Sequence, residues 1–317
     1  MSDPTNEPIA EEVLQRAAEC IQAGQLVAFP TETVYGLGAD ATNADAIAAI
    51  YAAKDRPSFN PLIIHVASLE AAEQLVFFDD HARTLTATCW PGALTLVLPR
   101  REDCAVSLLA AAGLETLAIR VPAHALAQRF LEKAGVPIAA PSANRSGTVS
   151  STTADHVRAS LGGAVNMVLD DGPCQIGLES TIIDLAGDAP TLLRAGGVTI
   201  ELLERQIGEI KTATDDDTAP KAPGMLSRHY ATAIPLRMDA LELREGEALL
   251  AFGGRTLGPA PAICNLSRGG DVKEAATNLF DMMRQLDKPE FTGIAVMEIP
   301  ETGLGRAIND RLRRASK

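Results

Sequence analysis

Gln25-Leu26-Val27-Ala28-Phe29-Pro30-Thr31-Glu32-Thr33-Val34-Tyr35-Gly36-Leu37-Gly38 sets a short apolar run against a proline and a turn rich in hydroxyls and glycine. The first half, Gln25 to Phe29, reads as a buried strand. Pro30 stops it, because proline has no N–H to give to a sheet ladder. The second half reads as a loop at the strand's carboxyl end. In open α/β sheets, that is where small ligands collect against loop hydroxyls and backbone N–H groups. Thr31, Thr33 and Tyr35 supply hydroxyls here, and an ordinary β-turn draws on similar polar and glycine residues.

Outward from this stretch, helix and strand patterns alternate. Glu11 to Ala23 carries Val13, Leu14, Ala17, Ala18 and Ile21 on one stripe, which predicts a helix that Gly24 stops. Asn43 to Ala53 predicts a second, with Ile47, Ile50 and Tyr51 on one side. Strand-like runs follow at Leu62–Val66, Thr95–Leu98, Leu117–Val121, Ile138–Ala140, Met167–Leu169, Thr181–Leu185 and Thr191–Leu193. Helical stretches at Leu69–Leu75, Ala125–Ala134 and Ala154–Leu161 lie between them. Such interleaving predicts an α/β fold, and the short loops between some strands predict a twisted mixed sheet with flanking helices. A helix at Thr199–Gly208 closes this first domain, placed at residues 1–210.

Lys211 to Pro223 holds Asp215-Asp216-Asp217, two prolines and no apolar side chain larger than alanine. Residues 211–233 therefore read as an extended interdomain linker. Beyond it, Ala248–Phe252, Ala262–Asn265, Val272–Leu286, Ile294–Glu298 and Leu304–Arg314 predict a smaller Rossmann-like α/β domain over residues 234–317. Gly113-Leu114-Glu115-Thr116 and Gly177-Leu178-Glu179-Ser180 each lead into a strand, an echo that could set Thr116 and Ser180 at one sheet edge but is too short to claim a duplication, so that chance is the better account.

Bulk composition narrows the function classes. Of 317 residues, 46% are hydrophobic and 22% charged, as in ordinary globular domains, while aromatics are only 4%. Aliphatic side chains must therefore build the cores. The formal charge of −13 argues against a protein whose main partner is a phosphate backbone. It leaves room for a small anionic substrate focused by a few cations in one cleft. The five cysteines are scattered without a CxxC pair, which predicts reduced thiols and neither a zinc site nor a disulfide framework. The opening residues do not resemble a signal peptide, and no apolar run reaches the ~18 residues of a membrane span. The expected address is the cytoplasm.

Two further segments carry chemistry. Lys54-Asp55-Arg56-Pro57-Ser58-Phe59-Asn60-Pro61 holds two cations on a proline-stiffened loop after a helix. The forked guanidinium and the point-charge ammonium together suit a triphosphate, although a helix carboxyl end favours cations in any case. Pro137 to Gly147 runs from an apolar strand into Pro141-Ser142-Ala143-Asn144-Arg145-Ser146, groups that turn and cap structures also use. His65 ends one predicted strand, and Arg120 lies inside another. An arginine in an apolar strand needs a partner, either an internal carboxylate or that of a ligand. No P-loop, GxGxxG, HExxH or GxSxG motif occurs, and the five histidines are dispersed.

Taken in order, TETVYGLG, KxRPxxNPLIIH, WPG, AIRVP, APSAN, ES-T and LLRxG resemble the YrdC-like domain. The tail APGMLSRHYA followed by a β/α domain resembles the two-domain form of the threonylcarbamoyl-AMP synthase family. The resemblance implies a nucleotidyltransferase that joins L-threonine, bicarbonate and ATP into threonylcarbamoyl-AMP and pyrophosphate. A separate transfer complex then modifies tRNA. It implies a phosphate cluster of Lys54, Arg56, Ser142 and Asn144, with Asn60, Thr116, Ser150 and Arg194 adding nucleotide contacts. Thr33, His65, Arg120, Ser180 and the backbone at Ala140 would hold threonine, Arg120 taking its carboxylate. Tyr230 would close over the nucleotide, and Mg2+ would come with ATP without a protein cage. Leu226-Ser227 and Thr232 depart from the family pattern. An RNA-binding module and a hydrogenase-maturation type of carbamoyl-adenylate enzyme are the rival readings. The charge opposes the first and the lack of CxxC pairs the second.

Overall fold

α1 (Glu11–Gln22) buries Leu14, Ala17, Ala18 and Ile21, the stripe its spacing predicts, and leads into β1 (Val27–Phe29). The computed structural model describes residues 10–213 and 229–317. The expected loop after β1 is only half a loop. Gly36–Asp40 forms β2, antiparallel to β1 with Phe29 opposite Gly36. Gly38 lies where a Cβ would come within 3.0 Å of the Phe29 ring and the Ile138 side chain. Close approach demands glycine there, and the missing side chains hide the strand from a hydrophobic pattern.

α2 (Ala44–Lys54) starts at Asn43, whose side chain accepts from the N–H groups of Asp45 and Ala46, and stops at Asp55 in the left-handed region. Next come β3 (Ile63–His65), α3 (Leu69–Glu73), α4 (Asp80–Cys89), β4 (Leu94–Pro99), β5 (Thr116–Arg120), α5 (Ala125–Ala134) and β6 (Ile138–Ala139). The chain continues through α6 (Ala154–Leu161), β7 (Met167–Val168), β8 (Thr181–Asp184), β9 (Thr191–Arg194), α7 (Ile200–Ile207) and β10 (Lys211–Thr212). Sequence spacing did not predict α4, whose three threonines are weak helix formers. Asp79 caps it, and Ala82, Leu85 and Cys89 anchor it.

The strands form one sheet in the order β10-β9-β8-β4-β5-β3-β6-β2-β1-β7. It is mixed, as expected: β3 and β5 run parallel, as do β4 and β8, whereas β4 opposes β5. That arrangement fits the Gly-Leu-Glu echo being chance and gives it no shared sheet edge. Pro99 faces Thr116 while Leu94 faces Thr181, so Thr116 and Ser180 stand at opposite ends of β4. β10 extends the sheet beside β9, so the linker stretch begins with strand residues. Positions 214–228 of the expected linker, Leu226-Ser227 included, lie outside the described residues.

Period-two alternation then divides the sheet. Ile64, Ile119 and Ala139 face a large core shared with α2, α4 and α6. Ile138 faces the other way, packed with α1 and α5, and it pairs with His65. Beyond the reach of α1 and α5, that second face carries Ile63, Val97, Ala118 and Ile182. His65 and Arg120 thus emerge side by side on the face those helices leave uncovered.

The last third builds β11 (Leu236–Arg237), β12 (Glu247–Ala251), β13 (Ile263–Asn265), α8 (Val272–Leu286), β14 (Gly293–Val296) and α9 (Leu304–Ala315). Its strands lie in the order β11-β14-β12-β13, all parallel. One apolar cluster joins this unit to Val34, Val149 and Leu178 of the larger one. Gly177 sits against α8 at φ 74, and a Cβ there would lie 2.6 Å from the backbone of Ala276 and Thr277. Gly177→Ala should therefore strain both the turn and the junction, costing on the order of 1–3 kcal/mol. Thermal melting reads this directly, and an unchanged midpoint would show that the contact yields.

Candidate functional site

Parallel pairing sets His65 opposite Arg120 at the carboxyl ends of β3 and β5. Around them opens a cleft of about 540 Å³, counting the solvent at its mouth. Of the residues expected at a site, it brings together Thr33, Arg56, His65, Arg120, Ala140, Ser142, Ser180, Arg194 and Tyr230. Lys54, Asn60, Thr116, Asn144 and Ser150 do not line it.

Arg120 reaches three partners. Nε donates to Gly92 O at 3.0 Å, Nη1 donates to Thr33 Oγ1 at 2.9 Å, and Nη2 lies 2.7 Å from Glu32 Oε1. The arginine in an apolar strand thus has an internal carboxylate partner. Thr33 in turn shares a 2.7 Å contact with Thr31, which donates to Val34 O. Burial first, and then the Arg120 charge, push the His65 imidazolium down to a pKa of about 3. The neutral ring lies with Nδ1 3.2 Å from Ile63 O. A carbonyl only accepts, so Nδ1 carries the proton and Nε2 is left as an acceptor.

Two more guanidinium groups complete a cationic wall. Arg56 Nη2 donates to Pro61 O at 3.1 Å, on the stiff loop its prolines predict. Burial leads in lowering Arg56 to about 10, which still leaves it charged at neutral pH. Arg194 donates through Nε and Nη2 to Ser180 O, at 3.1 and 3.0 Å. Ser180 Oγ lies 2.7 Å from Thr95 Oγ1.

The residues outside the lining mostly act behind it. Lys54 is buried, and its ammonium donates to the carbonyls of Ser142 and Asn144, pinning the loop that presents Ser142. Burial above all, then Arg56, drives its pKa well below the ordinary lysine value. Asn144 Nδ2 donates to Arg145 O and Thr148 O within the same loop. The Asn60 carbonyl lies 3.4 Å from Arg56 Nε. Ser150 donates to Glu179 Oε1 at 2.5 Å. Thr116 shares a strand face with Arg120 but lies four residues away, about 13 Å along β5. Lys54→Met should slacken the 142–144 loop. We expect kcat/KM to fall about 10- to 150-fold with the fold retained; unchanged kinetics would remove Lys54 from the machinery.

Three lining or supporting groups escaped the sequence reading. Glu32 is the partner of Arg120. Glu179 lines the cleft; burial alone would raise its pKa, but Arg311, Arg194 and Ser150 hold it down at about 2. His229 lines it beside Tyr230, with ring centroids 4.1 Å apart. Tyr230 is buried, stacks on Phe280 of α8 at 5.5 Å and takes φ 61. Neighbours of residues already singled out were the available signal: Glu32 lies between Thr31 and Thr33, Glu179 before Ser180. Among the described residues, no three His, Cys, Asp or Glu side chains are grouped to hold a metal ion.

A mixed α/β sheet whose open face gathers three guanidinium groups, hydroxyls and a neutral imidazole forms a cleft whose chemistry suits an anionic ligand. Two family models match the chain. One described as telomere recombination, of the Sua5, YciO and YrdC group, matches residues 19–196. Another, the threonylcarbamoyl-AMP synthase C-terminal domain, matches 198–317. The threonylcarbamoyl-AMP synthase of Bacillus subtilis is 42% identical, over 98% of this chain and 94% of its own. That of Pyrococcus abyssi is 42% identical, over 98% of this chain and 96% of its own. The crystal structure of P. abyssi Sua5 complexed with L-threonine superposes with a TM-score of 0.91 at 40% identity, covering 98% of this chain and 96% of that one. The chain belongs to the threonylcarbamoyl-AMP synthase family.

Proposed function

We propose that this chain joins L-threonine, bicarbonate and ATP into L-threonylcarbamoyladenylate and pyrophosphate, supplying the threonylcarbamoyladenosine modification of tRNA. The observation that carries the reading is the full-length likeness to a synthase solved with L-threonine, in a chain whose cleft is lined by Arg56, Arg120 and Arg194.

The chemistry suits such a cleft. Threonine's amine and bicarbonate give a carbamate and water. A carbamate oxygen then attacks the α-phosphorus of ATP, and pyrophosphate leaves. No protein nucleophile is needed; the work is positioning and charge neutralisation. Arg56, Arg194 and Ser142 would face the phosphates, with the Ser142 loop held by Lys54 and Asn144. Asn60 and Ser150 would support the nucleotide side from behind the wall, and Thr116 would meet it only at the far end of β5. Arg120 would take the threonine carboxylate, with Thr33, His65, Ser180 and the Ala140 backbone around the rest. Tyr230 would cover the nucleotide and keep water from the labile product.

Mg2+ would come as a companion of the ATP phosphates: among the described residues, Glu179 is the one carboxylate in the lining, and it already engages Arg311. When bound, it would neutralise phosphate charge. The product would pass to a transferase complex acting on tRNA, and the cytoplasm remains the expected compartment. No helix among the described residues is long and apolar enough to cross a membrane.

The test is pyrophosphate release from ATP and magnesium, with and without threonine and bicarbonate, alongside mass detection of threonylcarbamoyl-AMP. Release dependent on both co-substrates is expected. Release indifferent to threonine would end the assignment.

A further inference from the structure

One face of α8 reaches from the smaller domain to the larger. Thr277, Asp281 and Arg284 recur at helical spacing, so they share that face. Thr277 Oγ1 donates to Gln175 O at 2.8 Å, and Asp281 Oδ1 lies 3.2 Å from His156 Nε2. Arg284 Nη2 donates to Val149 O. Arg284 Nε is buried and, among the described residues, has no acceptor. A guanidinium with an unmet buried donor is a costly way to dock a helix, since an apolar side chain would give up no hydrogen bond to water.

The carbonyl that Arg284 grips sits between two struts of the Ser142 loop. Thr148 O, just before it, accepts from Asn144 Nδ2 at 3.0 Å. Ser151 Oγ, just after it, donates to Ala143 O at 2.8 Å. Ser151 O takes the Tyr35 N–H at 2.9 Å, and the Ala143 N–H donates to Tyr35 O at 2.7 Å, which closes a ring of bonds through residues 35, 143 and 151. Lys54 holds the same loop from α2, and the Ser146 N–H returns to Lys54 O at 2.8 Å. The loop is therefore braced from two sides, by α2 and by the segment that α8 grips. Arg120 and His65 stand on β5 and β3, and their hydrogen bonds go to Gly92, Thr33 and Ile63, none of them in 148–151.

We propose that Arg284 is a positioning residue of the cleft: by fixing the Val149 carbonyl it holds segment 148–151, and through Asn144 and Ser151 it holds the loop that presents Ser142 to the nucleotide phosphates. The smaller domain thereby tunes the ATP end of a cleft built by the larger one and leaves the threonine end alone. The functional half of this rests on the proposed phosphate role of Ser142. It accounts for a charged donor at an interface that apolar contacts already join.

The test compares the full wild-type chain with Arg284→Met and Arg284→Lys. Amide hydrogen exchange reads the loop without any ligand, and calorimetry reads the dissociation constants of ATP–magnesium and of L-threonine. Arg284→Met should speed exchange at the Ala143 and Ser146 amides about tenfold or more. It should weaken ATP binding about 10- to 30-fold and leave threonine affinity within about twofold. Arg284→Lys keeps a charged donor for Val149 O and should return most of both effects. A merely structural Arg284 would move both ligands together or neither. Exchange at Ala143 and Ser146 as slow in Arg284→Met as in wild type, or equal losses of ATP and threonine affinity, would overturn the proposal. If Arg284→Met does not fold, Arg284→Gln, two atoms shorter but still polar, is read in the same way, and failure of both to fold overturns it. Faster exchange in the variant beside a wild-type chain that binds no ATP would count against the nucleotide reading alone.

Discussion

Arg120→Met is expected to remove threonine-dependent turnover and to destabilise the fold, and a second change, Glu32→Gln, is expected to return the stability without the activity. Both side chains are nearly inaccessible, at 4% and 7% exposure, and 2.7 Å apart. Taking one partner from a buried ion pair leaves an uncompensated charge and costs about 3–5 kcal/mol. Gly92 O and Thr33 Oγ1 also lose the donors they receive from Arg120. Glu32→Gln removes the stranded charge, so most of that cost should disappear. Catalysis is a separate loss. If Arg120 grips the threonine carboxylate through two charged hydrogen bonds of about 1.5–3 kcal/mol each, kcat/KM for threonine should fall about 10²- to 10⁴-fold. No change at Glu32 can replace those donors. Urea unfolding and threonine-dependent pyrophosphate release separate the two effects. Activity recovered in the double variant would mean that Arg120 serves only to neutralise Glu32.

What the sequence made legible follows from side-chain pattern. α8 lies where its stripe predicted, and the mixed character of the large sheet followed from short connections between apolar runs. β2 was invisible because Gly36 and Gly38 leave no side chains to alternate, a consequence of the Phe29 ring packed across them. Thr116 and Ser180 looked equivalent in one dimension, but strand direction separates them, and direction is a tertiary property. The cleft was legible at the ends of strands, where Thr33, His65 and Arg120 meet. Lys54 shows the limit. Its type and spacing suggested a direct phosphate contact, and nothing local in the sequence announced that it is buried with the Ser142 and Asn144 carbonyls as its acceptors. Glu179 and its partner Arg311 lie 132 positions apart, so no local motif could announce the pair.

The cleft should also make the fold sensitive to mild acid. His65 and His229 are both buried, and burial leads in depressing each pKa from 6.5 to about 3. Between those limits, the unfolded chain binds protons that the folded chain refuses, so stability must rise with pH. The stabilisation is fully present above about pH 6.5 and is lost as pH falls toward 3. Each unit in that window costs about 1.4 kcal/mol per histidine, so the drop from pH 6.5 to 4.5 costs about 5 kcal/mol for the pair. Half-buried His124 and His156 are lowered as well, chiefly by burial, and add in the same direction. Glu179, held at about 2, adds its own loss only below its ordinary value of 4.5, so the milder window belongs to the histidines. A loss of that size rivals the total stability of an ordinary domain. Urea unfolding at pH 6.5, 5.5 and 4.5 should show the steep decline, and His65→Asn should remove about half of the pair's contribution to the slope. A flat profile over that interval would mean that both rings gain protons without unfolding.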